Sequence, residues 1–112
     1  MEIITYKTKS GRDKIFDYIN SLPEKHRVDA YSVLEHLEKN EMDKIEYKQW
    51  QKKIYEVYFY KSNRIFYVSV DNEKIYLLHA CKKQKNKTER KYKKIIESRA
   101  KELGKILGKK FI

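Results

Sequence analysis

Ten basic and aromatic side chains dominate the chemistry open to this chain: Lys48, Lys52, Lys53, Tyr58, Arg64, His79, Lys82, Lys83, Lys85 and Lys87. They lie in or beside runs of strand-forming residues, so a sheet and its rim would gather them. Such a set suits cleavage of RNA without a metal, in which the ribose 2′-oxygen attacks the adjacent phosphorus in line. That reaction needs a held geometry and a base for the 2′-hydroxyl proton. It also needs cations for the extra phosphate charge and an acid for the leaving 5′-oxygen. Arginine fits the phosphate role because its planar fork stays charged, which also bars it from acting as the base. Crowded lysines lower one another's pKa, histidine titrates near neutrality, and tyrosine offers a ring for an unstacked base or a hydroxyl to donate.

Each of these residues also has a plainer use. His79 sits in the apolar run Ile75-Tyr76-Leu77-Leu78-His79-Ala80-Cys81 and is open to a role as a hydrogen-bonded interior histidine. Arg64 either meets phosphate or pairs with Glu56; Lys82 and Lys83 are either site residues or solvated. The ten tyrosines are mostly sheet-packing residues, and Trp50 reads as a lid over a core edge. His26, His36 and His79 lack metal-ligand spacing. No glycine-rich phosphate loop or nucleophile elbow occurs, so no cofactor is expected.

Charge narrows the partner. The net charge is +11, but it is unevenly placed: residues 82–112 hold 13 Lys/Arg against 3 Asp/Glu, while residues 1–81 are nearly balanced. A field so concentrated attracts phosphate backbones. A membrane surface is the weaker reading, because the C-terminal helical pattern commits its apolar stripe to a core. No run approaches the ~18 apolar residues of a membrane span, and residues 1–7 lack a signal-peptide pattern. The lone Cys81 cannot form an internal disulfide, so a cytoplasmic location is expected.

These side chains need a scaffold, and 112 residues provide for one domain. Residues 2–7 alternate weakly as a short strand. Ser10-Gly11-Arg12-Asp13 resembles a capping box before the helically spaced Ile15, Phe16 and Ile19. Pro23 suits the first turn of a second helix, with Val28, Tyr31, Leu34 and Leu37 as its apolar stripe, so a helical hairpin is expected. Residues 41–53 read as polar and irregular. Three strand-like runs follow, Ile54–Tyr60, Arg64–Val70 and Ile75–Cys81, joined by hairpin-length links. Thr88 is a candidate cap for a final helix carrying Tyr92, Ile95, Ile96, Ala100, Leu103 and Leu107, weakened by Gly104 and ended by Gly108. The expected fold is α+β: a small twisted antiparallel sheet, made of a three-strand meander plus an N-terminal strand, with an N-terminal helical hairpin and a C-terminal helix.

Register decides whether the catalytic reading is feasible. A two-residue turn at Lys61-Ser62 puts Arg64 opposite Phe59, on the face of Tyr55 and Val57. One more residue in the turn moves it to the face of Glu56 and Tyr58, as catalysis requires. The sequence leaves both open.

The ordered runs Ile54-Tyr55-Glu56-Val57-Tyr58-Phe59, Asn63-Arg64-Ile65-Phe66-Tyr67-Val68 and Ile75-Tyr76-Leu77-Leu78-His79-Ala80-Cys81-Lys82-Lys83 resemble the HigB branch of the RelE/HigB toxin family. The resemblance spans most of the chain. It implies a RelE-like fold whose basic sheet face binds messenger RNA, and a metal-independent endoribonuclease that cuts the message on the ribosome. It also implies a cognate helix-turn-helix, HigA-like antitoxin as protein partner. By this likeness Arg64 contacts the scissile phosphate, Lys82 and Lys83 are the basic pair after the last strand, and His79 is the branch's common histidine. Lys48, Lys52, Lys53, Tyr58, Lys85 and Lys87 are the candidates for gripping RNA. The chain also departs from the family pattern. Tyr58 stands where many relatives have arginine, Cys81 where an aromatic is usual, and Gln84-Lys85-Asn86-Lys87-Thr88 where Thr-Pro is usual. A non-catalytic RNA- or ribosome-binding module is the alternative these departures favour.

Overall fold

The computed structural model describes residues 1–83 and 90–112. The expected cap at Thr88 and the candidate RNA-binding residues Lys85 and Lys87 fall outside the described residues. The elements run β1 (Glu2–Thr5), α1 (Lys14–Asn20), α2 (Glu24–Glu38), a 3-10 turn at Met42–Lys44, β2 (Glu46–Gln51), β3 (Ile54–Phe59), β4 (Asn63–Ser69), β5 (Lys74–Lys82) and α3 (Arg90–Leu107). The sheet order is β1-β5-β4-β3-β2, with β1 parallel to β5 and the other pairs antiparallel.

The α+β class and the meander match expectation, but the sheet is mixed and has five strands. The stretch expected to be irregular holds β2, whose Glu46 and Lys48 suit an edge strand, where charge discourages pairing with another chain. Its partner β3 is apolar enough to recruit it.

Opposite faces of the sheet carry separate cores. Val57, Phe59, Ile65, Tyr67, Leu77 and Ala80 pack against the helical hairpin. Ile54, Phe66, Val68, Leu78 and Cys81 pack against Ile96, Ala100 and Leu103 of α3. With both faces covered, β4 is buried from Asn63 to Val68, although its side chains alternate in direction.

Local signals differ in three places. Asp13, rather than Ser10, caps α1: its carboxylate accepts from the Phe16 amide at 3.0 Å and the Thr5 hydroxyl at 2.5 Å. The buried stripe of α2 is Ala30, Val33, Leu34 and Leu37, while Val28 and Tyr31 face outward. Pro23 lies just before the helix, as its cap. At the far end, Gly108 turns the chain back with φ 66°. A Cβ on Gly104 would overlap the Lys109 carbonyl, so glycine there lets the tail fold back and bury Phe111.

Candidate nucleic-acid interface

The link between β3 and β4 settles the register. Phe59 pairs with Asn63, leaving a three-residue loop, Tyr60-Lys61-Ser62, in which Tyr60 and Lys61 both take positive φ. This loop is held from outside the hairpin. Asp29 of α2 accepts the Tyr60 amide at 2.5 Å, and Ser62 O accepts the Lys83 amide at 2.6 Å. Arg64 therefore lies opposite Tyr58, on the face that also carries Glu56 and, from β2, Lys48.

Glu56 organises the cluster. Its buried carboxylate accepts from the Tyr58 hydroxyl and from Arg64 Nη1 at 3.4 Å, and lies 3.6 Å from Lys48 Nζ. Burial first, then the bond to Glu56, raises the Tyr58 pKa. At neutral pH that hydroxyl is a donor and not a base. The amines of Lys83 and Lys48 lie 5.0 Å and 5.9 Å from the centroid of the Tyr58 ring. Lys48 of β2 and Lys83, just past the end of β5, thus come to residue 58, where the chain has no arginine of its own.

Arg64 lies beneath them, only 3% exposed, with Phe66 below its guanidinium at 5.0 Å. Its Nη1 meets Glu56, while Nε and Nη2 have no hydrogen-bond partner among the described residues. The structural pairing considered from the sequence is present, and phosphate would find Arg64 already engaged by a carboxylate. Glu46, in register with Tyr58, adds an exposed negative charge at the sheet edge.

A bulge directs His79. Tyr67 pairs with Leu77 and Phe66 with His79, so Leu78 is the extra residue. Strict alternation would put His79 on the hairpin side with Leu77; the bulge turns it to the α3 side. There its ring packs on Tyr92 at 5.1 Å, and Arg99 Nη1 lies 3.5 Å from its Nδ1. Burial chiefly, then Arg99 and Arg64, lower its pKa to about 4. His79 is therefore neutral at pH 7 and a weak base. Its Nε2 is buried without a hydrogen-bond partner among the described residues.

The other candidates scatter. Lys82 pairs with Asn63, whose side chain bonds Tyr18 and His26, so alternation directs it toward the hairpin, away from Tyr58. The basic pair is thus split, with Lys83 alone at the cluster. Lys52 and Lys53 form the opposite β2–β3 turn, five residues along β3 from Tyr58, or ~17 Å at strand rise. Trp50 meets Phe66 edge-on at 5.2 Å, as the lid over a core edge that its sequence position implies. No three His, Cys, Asp or Glu side chains gather as a metal site among the described residues. No helix among them is long and apolar enough to cross a membrane.

Sequence reasoning missed Arg99, which donates to Leu78 O at 2.7 Å and stacks on Tyr6 at 4.6 Å. Its spacing three residues after Ile96 was the available signal, because that places it beside the buried stripe of α3.

No curated protein matches the chain in sequence. A family model described as Phage derived protein Gp49-like (DUF891) matches residues 17–101, about three quarters of the chain. The matched span runs from α1 into α3 and contains every residue of the Tyr58 cluster, so the chain belongs to the Gp49-like family of phage-derived proteins, a family that includes toxins of the RelE/HigB type.

Proposed function

We propose that the chain is the toxin of a type II toxin–antitoxin module, an endoribonuclease that cuts messenger RNA on the ribosome and is restrained by a helix-turn-helix antitoxin. One observation carries this reading: in a Gp49-like chain, Arg64 shares a sheet face with Tyr58, and the amines of Lys48 and Lys83 stand over that ring. Lys48 and Lys83 meet the phosphate first, and the Tyr58 ring lies between them. Arg64 supplies the planar fork through its unpartnered Nε and Nη2, while Glu56 holds the opposite edge. His79 and Lys82 lie off this centre, His79 packed against Tyr92 and Lys82 directed toward the hairpin.

Expression without an antitoxin should arrest growth, and cut sites should map to translated messages. Arg64→Ala should relieve the arrest, as should Lys83→Ala, which alters an exposed residue and spares the fold. Normal growth at full soluble expression would overturn the proposal.

A specific observation favours a second reading, a non-catalytic RNA- or ribosome-binding module: Arg64 is buried and paired with Glu56. Messages bound but uncut on purified ribosomes would select it.

A further inference from the structure

The outer face of α3 is the most one-sided surface of the molecule. Ile96, Ala100 and Leu103 face the sheet and are buried. Lys91, Lys94, Ser98, Lys101 and Lys105, all exposed, recur at intervals of three and four. At 3.6 residues per turn they centre roughly 180° from the buried stripe, along ~21 Å of helix. No apolar residue interrupts this line.

Acidic residues are near enough to neutralise it, yet they are engaged elsewhere. Glu97 and Lys101 have the spacing of a helical ion pair, as do Glu102 and Lys105. Instead Glu97 accepts from Gln51 Nε2 at 2.6 Å and Glu102 from the Tyr6 hydroxyl at 2.9 Å, both on the body of the protein. Among the described residues, Lys94, Lys101 and Lys105 form no ion pair. They border a shallow concavity with Ser98 between them, whose lining Glu97 and Glu102 share while bonded to Gln51 and Tyr6.

We infer that the outer face of α3 is a docking surface for the phosphate backbone of double-helical RNA, separate from the Tyr58 cluster. Lys91 and Lys94, and Lys101 and Lys105, are each about one helical turn (~5.4 Å) apart, which approximates the spacing of phosphates along a strand, and Ser98 stands between the two pairs. Apart from Tyr92, half-buried at one end beneath the Lys91 amine, the face has no ring on which a base could stack, which favours backbone recognition of a duplex over reading of a single strand. An anionic membrane fits less well, because the apolar stripe of the helix is committed to the core and leaves Ile106 as a single strongly exposed apolar side chain on α3. A protein partner fits less well too, since interface cores favour aromatic anchors and exclude lysine. The inference goes beyond the proposed function and holds whether or not the chain cuts RNA.

The test uses the full chain and a 16-base-pair RNA duplex, with anionic phosphatidylserine vesicles and polyglutamate as rival probes. A Lys94→Ala/Lys101→Ala/Lys105→Ala variant should keep its helical circular dichroism, because alanine favours helix. It should bind the duplex on the order of 10- to 50-fold more weakly at 0.15 M salt, with the log–log salt slope reduced by roughly 2.7, about 0.9 per lysine. Arginine at the three positions should restore binding. An unchanged duplex affinity in the alanine variant would overturn the proposal. So would equal or greater loss of vesicle or polyglutamate binding, which would show only a general polycation. A chain that binds the duplex through these lysines but never cuts RNA would sink the nuclease reading and leave this one standing.

Discussion

Two groups of positive charge on this molecule obey different physics. At the Tyr58 cluster, Arg64 is buried and Glu56 meets its charge at 3.4 Å. On the outer face of α3, lysines stand in water with their nearest carboxylates turned toward the body. Buried charge depends on its partner: with Glu56 removed, Arg64 keeps its desolvation cost and loses its compensation. Exposed charge depends on ionic strength, because salt screens it within a Debye length of about 8 Å under physiological conditions. The first arrangement fixes geometry and can discriminate. The second sets encounter rate and general affinity, with little bearing on stability.

The sharpest way to break the comparison is to remove Glu56. Glu56→Ala should destabilise the fold by about 3–5 kcal/mol by leaving a buried guanidinium unpaired, measured as a lowered urea midpoint. A paired Glu56→Met/Arg64→Met variant should recover most of that loss, to within ~1 kcal/mol of wild type, because apolar replacement of both partners removes both desolvation costs. If the double variant is as unstable as the single one, the cluster is held by more than its ion pair. The same double variant should be inactive in the growth assay, separating the structural from the chemical role of Arg64.

A smaller effect comes from His79. In the unfolded chain histidine titrates near 6.5, whereas burial and the neighbouring arginines bring it to about 4 here. Between those values the unfolded state binds more protons, so stability should rise with pH from about 4 to 6.5 and then level off. His79→Gln should flatten that part of the urea-midpoint profile. An unchanged profile would mean that His79 does not govern it.

The meander, the hairpin and the final helix were legible because apolar residues recur at strand or helix period. The details that build the site were not, since each depends on a distant partner. Asp29 lies 31 residues from the loop amide it accepts, and that loop places Arg64 beside Tyr58. The bulge at Leu78 turns His79 toward α3 without any glycine or proline to mark it. Strand β2 was missed because Glu46, Lys48, Gln49 and Gln51 lack strand propensity; pairing with apolar β3 overrides it. Lys82 and Lys83 read as one basic pair, yet alternation sends neighbours to opposite sides, so only Lys83 joins the ring.

The smallest predicted effect separates the two regions most directly. Lys83→Ala at the cluster and Lys101→Ala on α3 should each change stability by no more than about 0.5 kcal/mol, since both side chains are at the surface. Each should also lower the salt slope of RNA-duplex binding by about 0.9 if it meets a phosphate. Only Lys83→Ala should alter cleavage or growth arrest, because only its amine stands over Tyr58. Equal effects of both substitutions on growth arrest would mean that long-range attraction limits the activity and that Lys83 has no privileged place at the ring. An arrest that survives Lys101→Ala with a reduced salt slope would assign recruitment to the helix and chemistry to the sheet.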